Sequence, residues 1–193
     1  MGAAVPRNIF EVISDFEQYA GQWFLDEPLT ASGNELDARE FTVGTRYSGP
    51  LPARVPIYKP GVVVNFHLGS FDMPIVSARV AQEFQTLAKQ DVELFEVQVG
   101  SLADRFFILN VVALSDCIDE RRSEFTRWKD GDGQPERVGQ FHSISKIRVD
   151  VARTHPHHAF RIENWRLALL VSDTLRDRLI RIPQLGVKFE RAS

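Results

Sequence analysis

The sequence predicts an α+β fold, a single domain with a mainly antiparallel mixed sheet of roughly seven to ten strands and two principal helices. Three observations lead there. Behind Ser77, apolar Val80, Phe84 and Leu87 recur at helical spacing. The period then drops to two, with Val92, Leu94 or Phe95, Val97 and Val99 marking a strand. The same succession returns near the end of the sequence, in LLVSDTLRDRLIRIPQLGVKFE.

In chain order, residues 8–15 (NIFEVISD) alternate well enough for a first strand, with Ile9 or Phe10, Val12 and Phe16 turned inward. Trp23 reads as a core or lid aromatic, with ligand stacking as the alternative, because indoles mostly contribute buried area. A turn-rich passage through Ser32, Gly33 and Asn34 leads to a strand around Phe41. Residues 46–60, RYSGPLPARVPIYKP, carry proline too often for a helix or a central strand. An extended connection over the core is therefore expected there, the alternative being a binding edge built from Arg46, Tyr47, Arg54 and Tyr58. Residues 62–68 then form a strand and 69–72 a turn.

Ser77 marks the start of the first helix, where its hydroxyl can accept from an unpaired first-turn amide. Arg79, Gln82, Glu83 and Gln85 take the wet side. After the strand beginning at Val92, residues 100–104 turn the chain into 106–112, a near-continuous apolar run that suits a strand covered on both faces. A constant shift then carries Val76 to Val171, Ser77 to Ser172, Val80 to Leu175, Phe84 to Leu179, Leu87 to Ile182, Val92 to Val187 and Leu94 to Phe189. Two readings stay open, a duplicated helix-strand unit or the coincidence of two amphipathic helices, since two copies do not establish a period.

A length of 193 residues suits one domain over 1–193, less regular in 1–60 and forming its core in 61–193. The lone Cys117 cannot form an internal bridge, which points to a reducing compartment. The opening MGAAVPRNIFEV has no apolar stretch behind a basic one, and Pro6 breaks a myristoylation pattern at Gly2, so a cytoplasmic protein off the membrane is expected. A net charge of -3 gives no general attraction for nucleic acid.

Asp116, Asp119, Glu120 and Glu124 form the densest acidic cluster, interleaved with Arg121, Arg122 and Arg127. A mixed-charge exposed turn is the expectation, and a surface that steers a basic partner is the alternative; no EF-hand spacing supports a metal. His155, His157 and His158 invite a zinc reading, but a polar turn before a strand at 159–162 is favoured, because zinc ligands sit on separate rigid elements. Residues 131–139 make a hairpin tip or long loop without the lysine and hydroxyl of a phosphate cradle. Cys117 with His142 downstream lacks any nucleophile signature. These residues predict a binding protein and not an enzyme, with no cofactor and no metal.

The order of segments carries a resemblance. FLDEP after Trp23, PIVSARV, DVELFEVQV, FFILNVVALSDCIDERRSEF, HAFRIE, LLVSDTL and LGVKFE together resemble a myxobacterial-type immunity protein family of bacterial polymorphic toxin systems, from about Phe10 to Phe189. Most weight rests on the paired V-S helix starts and on the D-x-x-D-x-x-x-S pattern of Asp116, Asp119 and Ser123. The resemblance implies a cytoplasmic protein that binds and neutralises a cognate toxin by direct protein-protein contact. Its alternatives are a hydrolase reversing a toxin's modification and a non-catalytic adaptor of a secretion or effector locus. Asp116, Asp119, Glu120 and Trp128 are the candidate partner-binding residues; for Asp116, Asp119 and Ser123 the competing role is to hold a turn, since short Asp and Ser side chains bond local backbone.

Overall fold

Short apolar runs broken by turn residues become strands in a computed structural model that describes residues 8–154 and 156–193. In chain order they are β1 (Ile9–Ser14), β2 (Phe24–Leu25), β3 (Leu29–Thr30), β4 (Pro52–Val55), β5 (Ile57–Lys59), β6 (Phe66–Leu68) and β7 (Pro74–Ser77). Helix α1 (Ala78–Leu87) follows, then β8 (Val92–Val99), β9 (Phe106–Val111), β10 (Leu114–Ser115), β11 (Glu124–Arg127), β12 (Phe141–Lys146), β13 (Ala159–Ile162) and β14 (Trp165–Ser172). Helix α2 (Asp173–Leu179) leads into β15 (Val187–Arg191).

The strands divide between a six-stranded sheet, β3-β4-β8-β9-β7-β6, and a five-stranded sheet, β10-β13-β14-β1-β15, with two-stranded ribbons β11-β12 and β2-β5. Only β4 with β8 and β10 with β13 run parallel among these ladders. The mixed, mainly antiparallel α+β character and the two helices are as the sequence predicts; the division into two main sheets is not. Its cause is the helices. Val80 and Phe84 of α1 and Leu175 and Leu179 of α2 share a core with Phe66, Val76 and Leu109 of one sheet and Val12, Leu169 and Val171 of the other. The helices are thus a filling between two sheets.

β9 shows why a two-faced apolar run was needed. Leu109 and Val111 enter the helical core, whereas Phe106 and Ile108 enter a second core under Trp23 and Phe41 on the sheet's outer side. A third core joins Ile9, Phe160, Ile162 and Leu170 of the five-stranded sheet to Phe141, Ile147 and Val149 beyond it.

The two helices sit in the same local frame. β7 and β8 flank β9 antiparallel, and β14 and β15 flank β1 antiparallel, so each helix connects two parallel strands with a third inserted between them. Register agrees as well. Across β9, Phe107 pairs with Val76 and Glu96. Across β1, Phe10 pairs with Val171 and Arg191. The offset of 95 residues that takes Val76 to Val171 also takes Glu96 to Arg191. Two amphipathic helices alone do not impose that agreement on their flanking strands.

The capping serines differ. Ser172 Oγ accepts from the Leu175 N–H and bonds His158 Nδ1 at 2.8 Å, while Ser77 holds the same backbone position with its buried hydroxyl unpartnered. Position, not the hydroxyl bond, is what the first serine contributes.

Several expectations fail for local reasons. Phe41 ends a 3-10 turn, Ala38–Phe41, whose Ala38 amide donates to Glu27 and whose Arg39 amide donates to Asp37, so it is core without being strand. Residues 46–60 contain two strands: Pro52 heads β4 and Pro56 separates it from β5, so neither proline interrupts a ladder from within. In 62–68 only β6 is strand, Val62 making one bridge to Gln22. Phe16 is 53% exposed, because Asp15 ends β1 by accepting from the Gln18 and Tyr19 amides.

Asp91 joins the two halves. Buried at the exit of α1, its carboxylate accepts from His157 Nδ1 at 2.7 Å, the His158 N–H at 2.9 Å and the Ala159 N–H at 3.2 Å, at the start of β13. Replacing it by alanine leaves three donors without their acceptor, that of Ala159 buried and those of His157 and His158 half-buried, so Asp91→Ala is expected to lower unfolding free energy by about 3 kcal/mol in urea denaturation. Gly186 is a second joint. Its φ is +95°, and a Cβ there would lie 2.5 Å from the Phe66 carbonyl. Gly186→Ala should cost roughly 3 kcal/mol by the same measurement, with Gly133→Ala, in open space at positive φ, costing about 1 kcal/mol.

Candidate functional site

The acidic turn is built around Asp119. Its carboxylate accepts from Arg122 Nε at 2.6 Å and the Arg121 N–H at 3.1 Å, and its backbone N–H donates to the Arg148 carbonyl. The bond from Arg122 holds the Asp119 carboxyl below its usual range. Ser123 Oγ accepts from the Arg148 N–H and donates to the Arg148 carbonyl, so Asp119 and Ser123 together hold the turn against residues 148–149. Asp116 pairs with Arg153, Glu120 with Arg127 at 2.7 Å and Glu124 with Lys146 at 3.0 Å. Every acid of the cluster thus meets an internal cation. Exposed pairs of this kind stabilise little, but they cancel charge.

Glu120 also borders a cleft of about 680 Å³ whose walls include Arg127, Phe141, Glu163, Trp165 and Arg166. Arg127 lies over the Phe141 ring, 4.5 Å from its centroid, and Arg166 donates to the Val43 carbonyl. Trp128, at the end of β11, meets the His142 ring edge at 4.2 Å with Arg137 above it. Of the sequence candidates, Glu120 lines the cleft, Trp128 packs against His142 outside its walls, Asp119 holds the turn and Asp116 pairs with Arg153. Glu163, Trp165 and Arg166 were missed. Their signal was a tryptophan among charged residues at a tight turn between two apolar strands.

The remaining candidates resolve into structure. His157 and His158 serve Asp91 and Ser172 as described; His155, Gly2 and Pro6 lie outside the described residues. Among the described residues no three His, Cys, Asp or Glu side chains are grouped to hold a metal. Cys117 is fully buried, and burial pushes its thiol up, against the thiolate a nucleophile needs.

A second recess lies where β1 leaves β14. Their ladder covers only Ile9, Phe10 and Glu11, and beyond it opens a hollow of about 320 Å³ walled by Glu11, Phe16, Leu68, Asp72 and Leu167. Burial, then the charges of Glu190 and Asp72, push the Glu11 carboxyl up to about 7. Loss of water raises Asp72 too, partly countered by Arg161. Arg161 is fully buried, with Nη1 donating to the Arg166 and Leu167 carbonyls and Nε and Nη2 unpartnered. An adjoining hollow of about 400 Å³ shares Leu68 and adds Phe24, Asp26, Tyr58 and His67. Burial lowers His67 to about 4, so its ring is neutral at pH 7.

Compared with known families, residues 15–193 match the immunity protein family Imm11. The chain belongs to that family. No curated protein matches it. Membership of this family supports an immunity function for the chain. No helix of this family member, among the described residues, is long and apolar enough to cross a membrane.

Glu11 supplies a signed test of the second recess. A carboxyl raised in the folded state keeps its proton between the unfolded value, near 4.5, and about 7, so stability from this group falls as pH rises across that window and is lowest above it. Glu11→Gln removes the cost. Its thermal midpoint is expected to exceed the parent's by roughly 3 °C or more at pH 8 and to match it near pH 4.5, measured by circular dichroism.

Proposed function

We propose that this chain confers immunity by binding a cognate bacterial toxin in the cytoplasm and neutralising it through direct protein-protein contact, as a single domain and without catalysis. The observation that carries this reading is the family match over residues 15–193. The shape of the molecule supports it. Two sheets locked through a helical layer make a scaffold that need not rearrange, and preorganised surfaces lose less on association.

Of the candidate contact residues, Glu120 is proposed to face the toxin at the cleft and Trp128 to serve as an aromatic anchor where it packs against His142. Asp116 and Asp119 are proposed to act through the shape of the turn.

Two outcomes are expected. Co-expressed with the toxin encoded beside its gene, the chain restores growth of a sensitive host, and the purified pair forms a stoichiometric complex in analytical ultracentrifugation. Growth arrest unchanged by the chain, with no complex, overturns the reading. Trp128→Ala should weaken that complex about tenfold in calorimetry while leaving the melting temperature of the free chain within a degree or two.

A further inference from the structure

The acids around Asp119 are each balanced by a neighbouring cation; those at the split between β1 and β14 are not. Among the described residues, Glu11, Asp72 and Glu190 have no lysine or arginine nitrogen within ion-pair distance. Glu11 and Glu190 moreover stand directly opposite on neighbouring strands, which destabilises a sheet. The other helix-strand unit shows what the same register holds elsewhere: β9 places Ile108 opposite Phe95, where β1 places Glu11 opposite Glu190. Fold alone does not ask for two carboxylates there.

The walls are equally unspent by the fold. Phe16, Leu167 and Tyr58 are 53%, 57% and 77% exposed, and Phe16 stacks on Phe24 at 6.2 Å, joining the acidic hollow to the aromatic one on either side of Leu68. Apolar walls around uncompensated negative charge suit a cation with an apolar stem. Arginine fits best, being flat, weakly hydrated and able to donate five hydrogen bonds to carboxylates.

We propose that this split is an anchoring pocket of the toxin contact. An arginine of the toxin enters between Phe16 and Leu167 with its guanidinium against Glu11 and Asp72, and an apolar neighbour on the same toxin segment fills the hollow of Phe24, Tyr58 and His67. This rests on the toxin-binding reading and adds to it the chemistry of the partner. Arg161, behind the hollow, balances part of the charge of Asp72 and leaves Glu11 and Glu190 to attract the incoming cation. On β15, Lys188 is directed to Glu17. On the aromatic side Lys59 lies over Phe24. An arginine beside Glu11 favours its ionised form, so complex formation below pH 7 releases a proton and affinity rises with pH through about 7.

The test is calorimetry of the full chain against the catalytically silenced toxin encoded beside its gene, at pH 6 and pH 8. Glu11→Gln combined with Asp72→Asn is expected to weaken binding at pH 8 about 30-fold and to flatten its pH dependence. Phe16→Ala should weaken it about tenfold. Misfolding is separated by sign, because Glu11→Gln alone raises the thermal midpoint at pH 8 while lowering affinity. Lysine at the toxin position protected by the complex from arginine-specific modification should recover less than half of the binding energy. If the unaltered chain binds and the double variant binds as tightly with the same pH slope, the anchoring pocket is wrong and toxin binding stands. If the unaltered chain does not bind, both fail.

Discussion

The packing of α1 against α2 between two sheets is the constraint on which the rest of this structure depends. Val80, Phe84, Leu175 and Leu179 are fully buried there, and each sheet contributes its inner face to the same layer. Removing one helix would leave both sheets with an uncovered apolar face, so neither helix-strand unit is complete alone. Asp91 adds a polar tie to that apolar joint. Its carboxylate takes two backbone amides and one imidazole from the other sheet's side, bonds that require the sheets to stand at one separation.

Around this layer the two units differ in what they do with equivalent positions. Ser172 caps its helix and holds His158, whereas Ser77 keeps a buried hydroxyl without a partner. Ile108 and Phe95 are packed beneath Trp23, Phe41 and Tyr47, while Glu11 and Glu190 are left facing each other. The outer face of the six-stranded sheet is covered by the chain's own early segments. In the other sheet the split between β1 and β14 is instead left as a hollow.

The helices and the strands β8 and β9 were legible because they depend on periodicity, a property of neighbours. Val80 with Phe84, and the near-continuous apolar run over 106–112, state their burial in the sequence itself. The relation of Val76 to Val171 was legible too, although only register across β1 and β9 gives it structural meaning. What was not legible depended on distant partners. Asp37 turns the chain at Phe41 by a local cap that outweighs β propensity, and Pro52 sits at the head of a strand because β8 offers an edge. Glu11 reads as the wet position of an alternating strand; only Glu190 and Asp72, far away in sequence, make it unusual. The acidic cluster was visible but its pairing with Arg153 and Lys146 was not.

One feature of the five-stranded sheet bears on how the chain is made. β1 is its second strand from an edge, yet both neighbours, β14 and β15, come from the far end of the sequence. During synthesis the first unit, with β7, α1, β8 and β9 contiguous, can assemble before β14 and β15 are made, whereas residues 9–14 precede that unit and must wait for both of those strands. A strand of alternating apolar groups is thus held open until β14 and β15 have been translated. The lone carboxylate in its middle, Glu11, is charged in that open state, and a charge within an apolar strand disfavours pairing with other chains.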